Sequence, residues 1–179
     1  MTNPLRGPWT LRRAWDVASW VLVGVLLVVA VRRLVPDLDL PDLGPAPDAT
    51  YATLDGGATG PADHRGRVVV LNVWATWCPP CVAETPGFVG LARDFEGDVV
   101  FLGLSQDADT SDVRTFARRF GVPYDLLVGA PMAGTPPSAT VLPTTYVIDR
   151  AGRVRMRHEG LLLAPALRPA LKALVRERG

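Results

Sequence analysis

An α/β fold, a mixed sheet covered by helices, is what this 179-residue sequence predicts, on three observations. Two near-continuous apolar runs rich in β-branched residues, GRVVVLNVWA (66–75) and DVVFLGLS (98–105), read as strands buried on both faces. Each is followed by a segment whose apolar residues recur at helical spacing. The stretch PTTYVIDRAGRVRMRHEG (143–160) reads as a hairpin turning at Asp149–Gly152. Strands that alternate with helices and end in a hairpin imply a mixed sheet flanked by helices.

The elements follow in order. AWDVASWVLVGVLLVVAV (14–31) is apolar except for Asp16 and Ser19. About 18 residues at a 1.5 Å rise reach roughly 27 Å, close to a ~30 Å hydrocarbon core. Trp9, Trp15 and Trp20 suit an interfacial position, and Arg6, Arg12 and Arg13 precede the segment. The positive-inside rule then places residues 1–13 in the cytoplasm and the body outside, although Arg32 and Arg33 follow the apolar run. Residues 14–35 are expected to be a single-pass anchor with its flanks, in contact with lipid through 14–31. A cleaved signal peptide is the rival; Arg32 and Arg33 crowd its small-residue position at VVA (28–30). Either reading exports the body.

The Pro- and Asp-rich residues 36–50 have no helical or strand period and are expected to be a stiff spacer, with the folded domain over 51–179. Residues 79–95 have helical spacing, interrupted by Pro86. TSDVRTFARRFG (110–121) predicts a helix with a hydroxyl N-cap and Gly121 as its stop. YDLLVG (124–129) predicts a short strand, APMAGTPPSATVL (130–142) no regular element, and APALRPALKALVRER (164–178) a closing amphipathic helix.

Composition supports one globular domain plus an attachment: 48% of residues are hydrophobic and 21% charged, which argues against general disorder. The net charge of +1 hides five Arg against one Asp in 1–35 and 14 basic against 17 acidic residues in 36–179. No basic patch with interleaved aromatics suggests a nucleic-acid partner.

The chain's two cysteines, Cys78 and Cys81, lie in WATWCPPC (74–81), at the junction of the first strand and the first helix of the body. Prolines at the first helical positions cost little, because their missing N–H groups would be unpaired there. Cys78 at the cap faces free N–H groups and the positive end of the helix, which favours thiolate. Cys81 comes round to nearly the same face and lies deeper. The pair reads as one exposed thiol that attacks and one shielded thiol that resolves. A structural disulfide closing so short a loop would stabilise little. A zinc site needs four ligands, and only His64 and His158 could join, with no ligand spacing. No metal and no cofactor beyond the cysteine pair is expected.

VVVLNVWATWCPPCVAETP (68–86) together with VLPTTYVIDRAGRV (141–154) resembles the membrane-tethered thiol-disulfide oxidoreductases of the TlpA/ResA group, in the thioredoxin-fold superfamily. The likeness covers roughly residues 50–178. It implies a thioredoxin fold and dithiol–disulfide exchange with protein substrates at the outer face of a cell membrane. It also implies that Cys78 is the nucleophile and Cys81 the resolving thiol. Pro143 would be a cis-proline facing the disulfide, so that Leu142, Pro143 and Thr144 shape the substrate groove with Trp77, Pro79 and Pro80. Thioredoxins carry a buried acid where this chain has Asn72; Glu84 resembles the carboxylate that TlpA/ResA-like proteins place beneath the disulfide. Buried there it would act as acid or base for Cys81. The resemblance leans towards a reductant in cytochrome c maturation, with apocytochrome c as a substrate, or in copper-centre assembly, re-reduced by a membrane electron-transfer partner.

Two other functions compete. A peroxiredoxin-like peroxidase would want Thr three positions before its cysteine, where this chain has Ala75, with Thr76 one place too close. A copper-binding assembly factor would want wider cysteine spacing and a well-placed His.

Overall fold

The computed structural model describes residues 15–26, 40–133 and 141–177. Two compact units divide at Asp39 and Leu40. In the first, residues 15–26 are helical (α1). Trp15, Val17, Trp20, Leu22 and Leu26 of this helix are all exposed, from 58% to 75%. The rest of the predicted span 14–31 lies outside the described residues, and no described helix is long and apolar enough to cross a membrane.

The second unit is an α/β sheet domain. Its elements are β1 (Thr50–Thr53), β2 (Ala58–Thr59), a 3₁₀ turn (Pro61–His64), β3 (Val68–Trp74), α2 (Pro79–Asp94), β4 (Val99–Ser105), α3 (Thr110–Phe120), β5 (Asp125–Ala133), β6 (Thr144–Ile148), β7 (Val154–Glu159) and α4 (Ala164–Arg176). The strands form one sheet in the order β2-β1-β5-β4-β3-β6-β7. β3 pairs parallel to β4 and antiparallel to β6, so the expected mixed sheet is present.

β3 is buried along its whole length and its period of two feeds two cores. Val69, Leu71 and Val73 pack with Leu102, Leu104, Leu127 and Ile148 on one face. Val68 and Val70 pack on the other with Phe88 and Leu91 of α2 and Leu167 and Leu171 of α4. By the same alternation Asn72 and Trp74 fall on the helix-covered face.

Three expectations need correction. The spacer predicted over 36–50 belongs, from Leu40 on, to the compact body. Leu43 N–H donates to Val154 O (2.8 Å), Ala46 N–H to Gly152 O (2.9 Å), and Arg155 Nη2 to Leu40 O (2.9 Å). The physical reason is the unpaired edge of β7, whose backbone groups this segment satisfies. β5 continues through Ala133, into the stretch expected to be irregular, because β1 supplies an antiparallel partner up to Thr50 opposite Ala133. Helix α3 is capped by Asp109, whose carboxylate accepts the Ser111 N–H at 2.7 Å, instead of by a hydroxyl. Its stop is the expected one, since Gly121 takes the left-handed conformation at φ 60°. Residues 134–140 lie outside the described residues.

Candidate active site

The turn that carries the cysteines is fastened from the neighbouring strand. Gln106 N–H donates to Trp74 O at 2.8 Å. Asp107 then accepts from Thr76 N–H (3.0 Å), from the Thr76 hydroxyl, and from Ser105 Oγ (2.7 Å). Held by this carboxylate, the chain leaves β3 and enters α2 with Cys78 as the N-cap, in extended backbone at φ −92° and ψ 108°. Pro79 and Pro80 occupy the first two helical positions, where no intrahelical donor is lost. Cys81 N–H points at Cys78 Sγ from 3.4 Å, so the first sulfur sits over the open end of the helix.

Cys78 and Cys81 form a disulfide, with Cα atoms 5.3 Å apart. Both are buried, Cys78 at 4% exposure and Cys81 at 1%. The sequence leads one to expect an exposed Cys78. In the disulfide state its side chain instead belongs to an apolar cluster with Trp74, Ala75, Phe116 and Leu126, against which Leu142 also packs. Trp77 stands out from this cluster at 66% exposure, whereas Trp74 is buried and its ring lies 4.6 Å from that of Phe116. Pro79 is exposed and Pro80 half-buried.

The second wall of the site comes from β6. Val73 is paired with Thr144, which brings Pro143 alongside the end of β3, where the cysteine turn begins. The Leu142–Pro143 bond is cis. Thr144 is buried and its hydroxyl donates to Val141 O at 2.6 Å, closing the loop on itself. Gly160 N–H donates to Pro143 O at 2.8 Å, so the β7–α4 connection braces the same loop.

Glu84 lies one turn beyond Cys81 on α2 and is only 2% exposed. Its Oε1 accepts from Asn72 Nδ2 at 2.7 Å and its Oε2 from Leu162 N–H at 3.0 Å. Burial pushes its pKa up to about 7, against the two hydrogen bonds that favour the carboxylate. A carboxyl so placed can exchange a proton near neutral pH. Tyr124 is its ionisable neighbour, and its phenol is raised by burial first and by Glu84 second.

The fold therefore brings Cys78, Cys81, Glu84, Pro143 and Thr144 to one end of β3. Sequence reasoning missed Asp107 and the part played by Leu162. A carboxylate two residues past a strand end is a weak signal, and a backbone N–H from a distant loop leaves none.

The histidines sit elsewhere. His64 precedes β3 while the cysteines follow it, and its ring bonds Thr59 Oγ1 and Arg67 Nη2, each at 3.0 Å. His158 on β7 has Nε2 at 3.2 Å from Leu161 O. Among the described residues no cluster of His, Cys, Asp or Glu could hold a metal ion. The Thr76 hydroxyl is engaged with Asp107.

Comparison with known proteins places this geometry. Residues 43–157 match the AhpC/TSA family. The chain is 30% identical over 135 residues to the thiol-disulfide oxidoreductase ResA of Geobacillus thermodenitrificans, covering 72% of this chain and 75% of that one. It is 29% identical over 120 residues to the thioredoxin-like protein YneN of Bacillus subtilis, covering 65% and 71%. A crystal structure described as a thiol:disulfide interchange protein DsbE, from Chlorobium tepidum, superposes with a TM-score of 0.65 at 27% identity, over 75% of this chain and 99% of that one. The fold is accordingly the thioredoxin fold, and the chain belongs to the AhpC/TSA family, among its thiol-disulfide oxidoreductases of the ResA kind.

Proposed function

We propose that this chain is a membrane-anchored thiol-disulfide oxidoreductase that reduces exported protein disulfides through Cys78 and Cys81. The observation that carries the reading is a disulfide at a helix N-terminus, with a buried carboxyl of near-neutral pKa one turn further along the same helix.

In the reducing direction the Cys78 thiolate attacks one sulfur of a substrate disulfide. A mixed disulfide forms and the other substrate sulfur leaves as thiolate. Cys81 then gives its proton to Glu84 and attacks Cys78 Sγ, which expels the second substrate thiolate and leaves the Cys78–Cys81 disulfide. Two electrons pass to the substrate, and a membrane electron-transfer partner returns them. The helix N-terminus stabilises the Cys78 thiolate as attacking or leaving group. Cys81 shares the apolar cluster of Cys78 but lies inside the first turn of α2 and not at its cap, so without the cap position it depends on a nearby proton acceptor. The run of backbone beside Pro143 and the exposed indole of Trp77 would receive the substrate chain, with Pro79, Pro80, Leu142 and Thr144 setting the shape of the groove.

Apocytochrome c and the cysteines of copper-centre assembly are the substrates this reading favours, because thiols awaiting haem or copper must be kept reduced outside the cytoplasm. The anchor is residues 14–31. Its support is the helix over 15–26, whose apolar side chains are exposed all round and so require an apolar surrounding.

Insulin reduction tests the chemistry. Cys78→Ser is expected to abolish it, and Cys81→Ser to accumulate mixed disulfides with substrate. Alkylation of the reduced domain at mildly acidic pH should label Cys78 first; prior labelling of Cys81 would reverse the roles. The reduction potential decides direction, since 30 mV corresponds to about 1.4 kcal/mol. A potential as high as those of strong oxidants would sink the reductant assignment.

A further inference from the structure

Asn72 holds Glu84 with one half of its amide, and the other half has no partner. Its Oδ1 is buried without a hydrogen bond among the described residues, and so is Trp74 Nε1. The two side chains stand two residues apart on β3 and therefore project to the same face. Buried polar groups are rarely left unpaired, and each such case asks for a cause.

A small cavity lies between them. It has a volume of about 10 Å³ and is lined by Asn72, Trp74, Thr85, Gly103, Phe116 and Tyr124, among others. That is about the space one buried water requires. The cavity exists because residue 103 is glycine. Gly103 pairs with Asn72 on one side and Leu126 on the other. A Cβ there would come within 3.0 Å of Trp74 Nε1 and 2.8 Å of Leu126 Cδ2.

The lining matches the valence of one water. The indole N–H is a donor only and Asn72 Oδ1 an acceptor only. The Thr85 hydroxyl, which donates to Cys81 O at 2.8 Å, keeps its oxygen free to accept. A water here would accept from Trp74 and donate to Asn72 and Thr85, three bonds as buried waters usually make.

We propose that this cavity binds one structural water that joins Trp74 Nε1 to Asn72 Oδ1, and that Asn72 is thereby a positioning residue for Glu84. The acceptor-only carboxylate of Glu84 calls for Nδ2, which donates to it and opposes the effect of burial, and this orientation turns Oδ1 into the cavity. The water supplies the donor that Oδ1 needs there. Without it the orientation that serves Glu84 would leave Oδ1 buried and unpaired, which weakens the hold on the carboxylate. The other ionisable group facing Glu84 is Tyr124, just before β5; the β7–α4 connection contributes the backbone N–H of Leu162.

The inference rests on the proposed role of Glu84 for its consequence, but its test reads Glu84 directly and would stand if that role failed. The measurement is a carbon-13 NMR titration of the Glu84 carboxyl in the oxidised protein. Asn72→Leu is expected to raise the midpoint by about one pH unit, through loss of a hydrogen bond to the charged form. Trp74→Phe keeps the ring but removes the N–H, and is expected to raise it in the same direction by less. In the wild-type protein the Trp74 indole N–H should show a cross-peak to a long-lived water, a readout that needs no variant to fold. A wild-type Glu84 midpoint in Trp74→Phe, or an indole N–H with no water cross-peak, would overturn the proposal.

Discussion

Glu84 accepts the backbone N–H of Leu162 at 3.0 Å, across 78 residues of sequence. This single bond ties the helix that carries both cysteines to the connection between β7 and α4. Two residues earlier in that connection, Gly160 N–H holds Pro143 O at 2.8 Å. The Glu84 carboxyl and the Pro143 loop thus share one support.

The first prediction concerns stability. The folded pKa of Glu84 is raised from 4.5 to about 7, so in this interval the native state binds a proton that the unfolded state has released. Stability must then fall as pH rises from about 4.5 to about 7, by on the order of 3 kcal/mol for this group. Glu84→Gln should lack that decline. Urea denaturation at pH 5 and pH 8 reads the difference, and parallel pH dependences in the two proteins would contradict it.

The same substitution should slow the resolving step and flatten its pH dependence, while leaving the first attack by Cys78 nearly intact. Cys78 is the N-cap of α2, with the helix end to stabilise its thiolate, and Cys81 lies within the helix. Stopped-flow oxidation of wild type and Glu84→Gln across pH 5–9 resolves the two steps. Superimposable profiles would leave the proton of Cys81 with water.

Arg155 is a structural junction remote from the cysteines. It is 15% exposed and reaches Asp149 at 3.2 Å, Glu177 at 2.9 Å and the Leu40 carbonyl at 2.9 Å. Arg155→Ala should cost about 2 kcal/mol, because it removes the cation shared by Asp149 and Glu177 and the donor to the Leu40 carbonyl. Limited proteolysis should find the segment near Leu40–Ala46 cut faster in the variant. The reduction potential should not change.

The mature protein should retain residues 14–31. The support is the length and apolar character of the segment and the arginines at 32 and 33. Protein sequencing of the purified membrane form checks it, and a mature N-terminus near residue 31 would exchange an anchor for a signal peptide.

Several features of this molecule are local and follow from neighbouring residues alone. A near-continuous β-branched run reads as an inner strand, and two prolines after Cys78 are tolerated at the opening of a helix. Those two facts put the disulfide at a helix end before any tertiary contact is known. Gly121 stops α3 for an equally local reason, its left-handed backbone. The rest depends on which distant segments come to lie side by side. Asn72, read in sequence merely as a missing acid, becomes the donor that holds Glu84 once the alternation of β3 turns it beneath α2. Leu162 reaches the same carboxyl through its backbone, which carries no residue signature. Residues 40–46 read as a free spacer because proline and aspartate exclude regular structure within the segment. The open edge of β7, formed from residues more than a hundred positions away, gave their backbone groups partners that composition cannot reveal.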